Sequence, residues 1–291
     1  MSNTFTSNCR TLNENGNNLL EISYEGNFSV AKTFDCGQCF RFDPVLDSKY
    51  ESEFSGIAYG RRVSFAEDGG KLYILGATED DYKKIWLSYL GLDVDYGAID
   101  ADILSRSDTA ALKEAIEYGK GIRILRQEPW EAVCSFIVSQ NNNIPRIKKI
   151  ISAMSEKYGE PIGGGDFAFP TPKALVEAGI DGLFALKTGF RAKYIFDAAT
   201  RVTDGSIELD SLGGTTDECV KKLCEVKGIG PKVALCSLLF GFARYDAFPV
   251  DVWIRRVMEK YFKEGFTPSE LGPYAGIAQQ YLFYYERYIV N

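Results

Sequence analysis

Two charged side chains stand out by their position. Lys232 is the seventh residue of VKGIGPK, directly ahead of the apolar run VALCSLLFGF, and Asp251 follows nineteen residues later in AFPVD. A helix that is apolar on nearly every side is a buried helix. A lysine at its mouth loses solvation and faces a positive helix N-terminus. Both effects disfavour the ammonium and make a neutral, nucleophilic amine accessible. Alone, the same residue fits a lysine that snorkels from a helix end. Asp251 precedes the amphipathic VWIRRVMEKYF and alone fits its N-cap. Chain length allows the two to meet. A helix over 231–242 carries the chain about 18 Å, and the eight residues 243–250 span up to about 26 Å when extended. Both helix starts can then face one cleft, with amine and carboxylate side by side.

The elements that would hold this pair are legible upstream. Thr215 and Glu218 have capping-box spacing, so a short helix is expected through DECVKKLCEV. Gly228 and Gly230 bracket Ile229 in a tight connection, and Pro231 suits the first turn of the next helix. The unit reads as helix, hairpin, helix. Such a hairpin, Lys227–Gly230, turns backbone N–H groups and a helix N-terminus outward, which suits a phosphate without surplus basic side chains. The hairpin alone fits a tight αα-turn equally well.

Over its 291 residues the chain has room for one or two domains, and its composition (45% hydrophobic, 25% charged) is globular. Residues 20–80 alternate apolar with polar and break at turn residues, as an antiparallel sheet would. From TEDDYKKIWLSYLG onward the period becomes helical, with Thr78 and Asp81 spaced as a cap pair. The expected fold class is α+β: an antiparallel-sheet domain with a few helices over 1–115, then a mostly helical region over 116–291. The chain has no histidine, which excludes imidazole acid–base chemistry and His–metal sites. Seven scattered cysteines fit reduced thiols better than a disulfide framework. The net charge of −7 argues against nucleic acid on its face, yet PRIKK and GFRAKY are locally basic. No run is long and apolar enough for a membrane span, and MSNTFTSNCRTLNENGNN lacks a signal-peptide pattern. A soluble, monomeric protein of the cytoplasm or nucleoid is expected.

VKGIGPKVALC with the trailing AFPVD resembles the helix–hairpin–helix signature of the DNA glycosylase superfamily that removes damaged bases. DCGQCFRF, RILRQEPWEAVCSFIVSQNNNIPRI, TGFRAKY and GPYAGIAQQYLF are, in the same order, similar to motifs of the 8-oxoguanine DNA glycosylases. The resemblance implies a bifunctional enzyme that flips the damaged base from duplex DNA, excises it through a lysine Schiff base at Lys232 with Asp251 assisting, and cleaves the strand by β-elimination. It implies a base pocket of Gly37, Cys236, Gln279 and Phe283, with the Gly37 carbonyl accepting the N7 proton that guanine lacks. It also implies that Asn141 fills the vacated space, that Arg146 and Arg191 grip the opposite cytosine, and that Phe190, where the family has tyrosine, wedges beside it. Lys227, Gly228, Ile229 and Gly230 would take the phosphate, and a structural cation at the hairpin in the DNA-bound state is compatible with this. No cysteine follows Cys236, so the iron–sulfur motif of related branches is absent. Trp253 stands where the family often has a histidine, which puts one phosphate contact and the packing of Phe283 in question. Two other readings stay open: a non-enzymatic DNA-binding hairpin module, and a monofunctional alkylated-base glycosylase, which typically lacks the lysine. The CGQC pair also fits a redox or zinc site, against which stand its strand-like surroundings and the lack of a second ligand pair.

Overall fold

The computed structural model describes residues 8–14, 17–24, 27–107 and 109–290. Strands β1 (Asn8–Glu14), β2 (Asn17–Ser23), β3 (Phe42–Pro44), β4 (Ser52–Ala58), β5 (Arg61–Asp68) and β6 (Lys71–Leu75) form one sheet in the order β1-β2-β6-β5-β4-β3, each neighbour antiparallel. The strand-like reading of 20–80 is interrupted at α1 (Val30–Phe34). Five residues are too few to show a helical period. The turn is fixed by its Ser29 cap and by Phe34, whose ring sits 4.7 Å from Phe42 and 5.3 Å from Phe65. CGQC therefore lies in a bend after a helix and not in a strand.

Helices follow the sheet. Thr78 and Asp81 form the expected capping box at α2 (Glu79–Asp81), which runs through a π turn into α3 (Leu87–Tyr89). Then come α4 (Tyr96–Arg106), α5 (Ala110–Gly119), α6 (Pro129–Ser139) and α7 (Ile144–Tyr158), followed by a small hairpin of β7 (Pro161–Gly163) and β8 (Asp166–Phe167). The rest is α8 (Pro172–Leu183, kinked at Gly179), α9 (Ala192–Thr203), α10 (Thr216–Leu223), α11 (Pro231–Phe242), α12 (Val252–Tyr261) and α13 (Ala275–Tyr285). No described helix is long and apolar enough to cross a membrane.

Side chains pack into two clusters that are not two consecutive stretches of chain. One lies against the sheet and is rich in rings: Phe34, Phe42, Phe54, Phe65, Trp86 and Tyr89. The other joins α4–α13 and also takes in Cys36 and Phe40 from the bend after α1. The bend thus belongs to the helical core while its flanks belong to the sheet, which places Gly37 at the seam.

Candidate active site

α10 opens with the Thr215–Glu218 capping box and stops at Leu223, three residues earlier than its sequence suggests. The hairpin behind it is held from one side by α9. The Lys227 N–H donates to Asp197 Oδ2 at 2.8 Å. Gly228 has φ +85°, and a Cβ there would stand 2.3 Å from the Tyr194 ring, so only glycine fits this approach. Ile229 is buried and plugs the turn into the core. Gly230, the N-cap of α11, has open space where a Cβ would point, and no side chain caps the helix. The first-turn N–H groups of α11 consequently face an unobstructed approach, suited to an anion.

Lys232 sits half-buried in that first turn, and Asp251 sits half-buried at the start of α12. Asp251 is indeed an N-cap, its Oδ1 accepting from the Ile254 N–H at 2.8 Å. Capping and proximity to the lysine coexist, because both charges act on one buried thiol. Burial pushes Cys236 up to about 11, Lys232 lowers it and Asp251 raises it. Both charges, nineteen residues apart in the chain, are thus felt by the one thiol a turn beyond Lys232 on α11. Among the described residues no ion pair joins Lys232 to Asp251, which leaves the amine without a carboxylate clamp.

The other residues expected at the base pocket lie on the bend around Gly37 and on α13. Gly37 has φ +80°, and a Cβ on it would lie 3.9 Å from both Phe283 and Ile144. Glutamines stitch its loop down. Gln38 donates to the Thr33 and Arg123 carbonyls at 2.8 and 2.7 Å and accepts from the Leu125 N–H at 2.8 Å. Gln127 donates to the Gln38 carbonyl at 2.7 Å, and Gln280 donates to the Cys36 carbonyl at 2.9 Å. The carbonyls on both sides of Gly37 are taken, whereas among the described residues none donates to its own. Gln279 is 6% exposed and its Oε1 has no hydrogen-bond partner. A buried amide oxygen left unpaired costs free energy unless a ligand supplies the donor. Phe283 is half-buried.

The asparagine loop lies between α6 and α7. Asn141 is exposed with φ +47°, and Asn143 caps α7 by accepting from the Arg146 N–H. Arg146 is exposed, with one guanidinium contact to the Lys187 carbonyl at 3.3 Å. Phe190 is 51% exposed and meets Tyr194 edge-on at 5.7 Å. Arg191 departs from the solvated face that its sequence surroundings would give it: it is 2% exposed. Its guanidinium holds the Gln140 carbonyl, the Asn141 carbonyl at 2.9 Å and the Thr188 carbonyl at 3.2 Å. It therefore fixes the loop that carries Asn141. Trp253 is exposed, with the Arg256 guanidinium 5.6 Å from its ring.

Sequence reasoning missed Tyr194 and Asp197, which brace the hairpin, and the glutamines around Gly37. Tyr194 is one turn beyond Phe190 and Gln280 adjoins Gln279, so both sat inside quoted motifs without a pattern of their own. A separate cleft of about 630 Å³ lies between the sheet and α7, lined by Arg62, Lys148 and their partners Asp166 and Asp43, and Lys232 is not part of it. Among the described residues no three Cys, Asp or Glu gather as a metal would need.

Comparison with known proteins bears on this arrangement. Residues 134–270 match the model of the HhH-GPD superfamily base excision DNA repair proteins, and residues 21–133 match the amino-terminal domain of 8-oxoguanine DNA glycosylase. The N-glycosylase/DNA lyase of Saccharomyces cerevisiae is 28% identical over 269 residues, which is 83% of this chain and 70% of that protein. The 8-oxoguanine glycosylase/lyase of Clostridium acetobutylicum in its apo form is 35% identical with TM-score 0.87, over 98% of this chain and 100% of that one. The same enzyme bound to double-stranded DNA with cytosine opposite 8-oxoguanine is 36% identical with TM-score 0.86, over 99% of each chain. This chain belongs to the 8-oxoguanine DNA glycosylases of the HhH-GPD superfamily.

Proposed function

We propose that Lys232 is the nucleophile with which this enzyme displaces 8-oxoguanine from duplex DNA, and that Asp251 is its electrostatic partner. The coarse activity is that of the family: the chain is a bifunctional 8-oxoguanine DNA glycosylase and lyase. The base must leave the stack to be reached. The hairpin and the uncapped start of α11 take the backbone phosphate, which is how a chain of net charge −7 holds DNA. The Lys232 amine attacks C1′ and the N-glycosidic bond breaks, its electron pair leaving with the base. Asp251 stabilises the positive charge that grows on the sugar. The amine gives up one proton and the C1′–O4′ bond breaks, O4′ taking up a proton, to leave the protonated Schiff base; β-elimination then removes a proton from C2′ and breaks the C3′–O bond, the 3′ phosphate leaving with its electron pair.

The free Gly37 carbonyl accepts the N7 proton of the lesion. Guanine offers a lone pair at that position, a mismatch worth about 1–3 kcal/mol. The unpartnered Gln279 Oε1 accepts from the donors on the base's pairing edge. Asn141, Arg146 and Phe190 receive the opposite strand, with cytosine preferred. One observation carries this reading: Lys232 in the first turn of α11 and Asp251 at the N-cap of α12 both lie within electrostatic reach of Cys236, one turn beyond the lysine. Borohydride should trap a covalent adduct between wild-type enzyme and an 8-oxoguanine duplex, trap none with Lys232→Gln, and trap it at least tenfold more slowly with Asp251→Asn. Equal trapping by the lysine variant would refute the assignment, and a protein that binds the duplex but never cuts it would be a binding module.

A further inference from the structure

We infer that Arg287 is a second reader of the flipped base, bonding a carbonyl oxygen beside the nitrogen that Gly37 recognises; this rests on the function proposed above. Arg287 lies four residues beyond Phe283, one helical turn along the same face. A Cβ placed on Gly37 would stand 3.8 Å from Arg287 Nη1 and 3.9 Å from Phe283 Cε1, so the guanidinium and the ring reach the same glycine. The arginine is exposed, and its Cζ sits 5.1 Å from the centre of the Tyr288 ring. Tyr288 is itself tied down, its hydroxyl donating to Asp35 Oδ2 at 2.7 Å. Among the described residues the guanidinium has no hydrogen bond and no ion pair. A planar five-donor group held against a ring, with every donor free, is built to meet an acceptor that arrives from outside.

The lesion supplies that acceptor. In 8-oxoguanine the protonated N7 is flanked by O6 on one side and O8 on the other, an acceptor–donor–acceptor edge. A base whose N7–H points at the Gly37 carbonyl must bring both oxygens to the rim of that glycine, where the Arg287 donors already lie. The glycine reads the proton and the arginine reads an oxygen next to it. A cation at this rim also favours a base that carries partial negative charge there.

The test separates contact with the base from contact with the backbone. Single-turnover excision of 8-oxoguanine opposite cytosine and strand cleavage at a preformed abasic site are measured for wild type, Arg287→Ala and Arg287→Lys. We expect the ratio of excision rate to abasic-site cleavage rate to fall about tenfold or more in Arg287→Ala and by less in Arg287→Lys. The exposed site keeps the melting temperature near that of wild type. An unchanged ratio overturns the inference, whether both rates drop together, as for a phosphate contact, or neither does. A wild-type enzyme that cuts abasic DNA yet leaves 8-oxoguanine in place overturns the parent reading as well, and is recognised without any variant.

Discussion

Two arginines from neighbouring motifs look alike in the sequence and differ in the folded chain. Arg146 is exposed with one long carbonyl contact, whereas Arg191 is buried across two carbonyls of the loop it supports and the Thr188 carbonyl of its own segment. On the function proposed above, truncating the first would remove a contact to the opposite base, whereas truncating the second leaves buried acceptors unpaired. Arg146→Ala should lower the preference for cytosine over adenine opposite the lesion about tenfold, with stability within about 0.5 kcal/mol of wild type. Arg191→Ala should lose about 1–3 kcal/mol and slow excision opposite every base alike. Melting curves together with single-turnover rates opposite cytosine and adenine check both; variants that behave identically would contradict the division of labour.

The hairpin is the element through which sequence and structure agree most closely, and the reasons are local. Cap pairs such as Thr215–Glu218, a proline at the first turn and glycines at a tight connection act within a few residues, so their spacing can be read directly. What braces the hairpin could not be read. Tyr194 and Asp197 come from α9, about thirty residues upstream, and nothing in their spacing announces a partner. The same holds for α1, one turn fixed by packing against the sheet, and for Gln127 and Gln280, which fasten the bend around Gly37 from two distant segments. The two hairpin glycines should respond differently to alanine. At Gly228 the methyl would enter the Tyr194 ring at positive φ, and about 2 kcal/mol or more of stability should go. At Gly230 it meets open space, so stability should hold within about 0.5 kcal/mol. Duplex affinity should nevertheless fall several-fold if, as proposed above, a phosphate approaches the space that the methyl fills. Denaturant titration and DNA binding in parallel decide the matter; equal stability losses would mean that the hairpin is not held by α9 as described.

Across the whole molecule, several carboxyl groups are buried where elements meet. Burial pushes Asp100 up to about 6 and Glu131 up to about 7, from usual values of 3.8 and 4.5. The folded chain then holds these protons more tightly than the unfolded one. Their contribution to stability is intact below about pH 4 and is lost as pH rises toward about 7. Asp100→Asn keeps an oxygen for the Tyr281 hydroxyl, now 3.0 Å from the carboxylate, and removes the charge. It should be more stable than wild type by roughly 1 kcal/mol near pH 8, a figure reduced for partial solvent access, with the gap closing near pH 4. Urea midpoints at both pH values test this, and a variant no more stable at the higher pH would count against it. Asp100 grips the helix whose Gln280 holds the Cys36 carbonyl, two residues 244 positions apart. During synthesis Lys232 and its hairpin are made before α13, which carries Gln279, Gln280 and Phe283. On the function proposed above, a chain interrupted between α12 and α13 would carry the lysine and the hairpin without the side chains of α13 that line the base pocket and anchor the bend around Gly37.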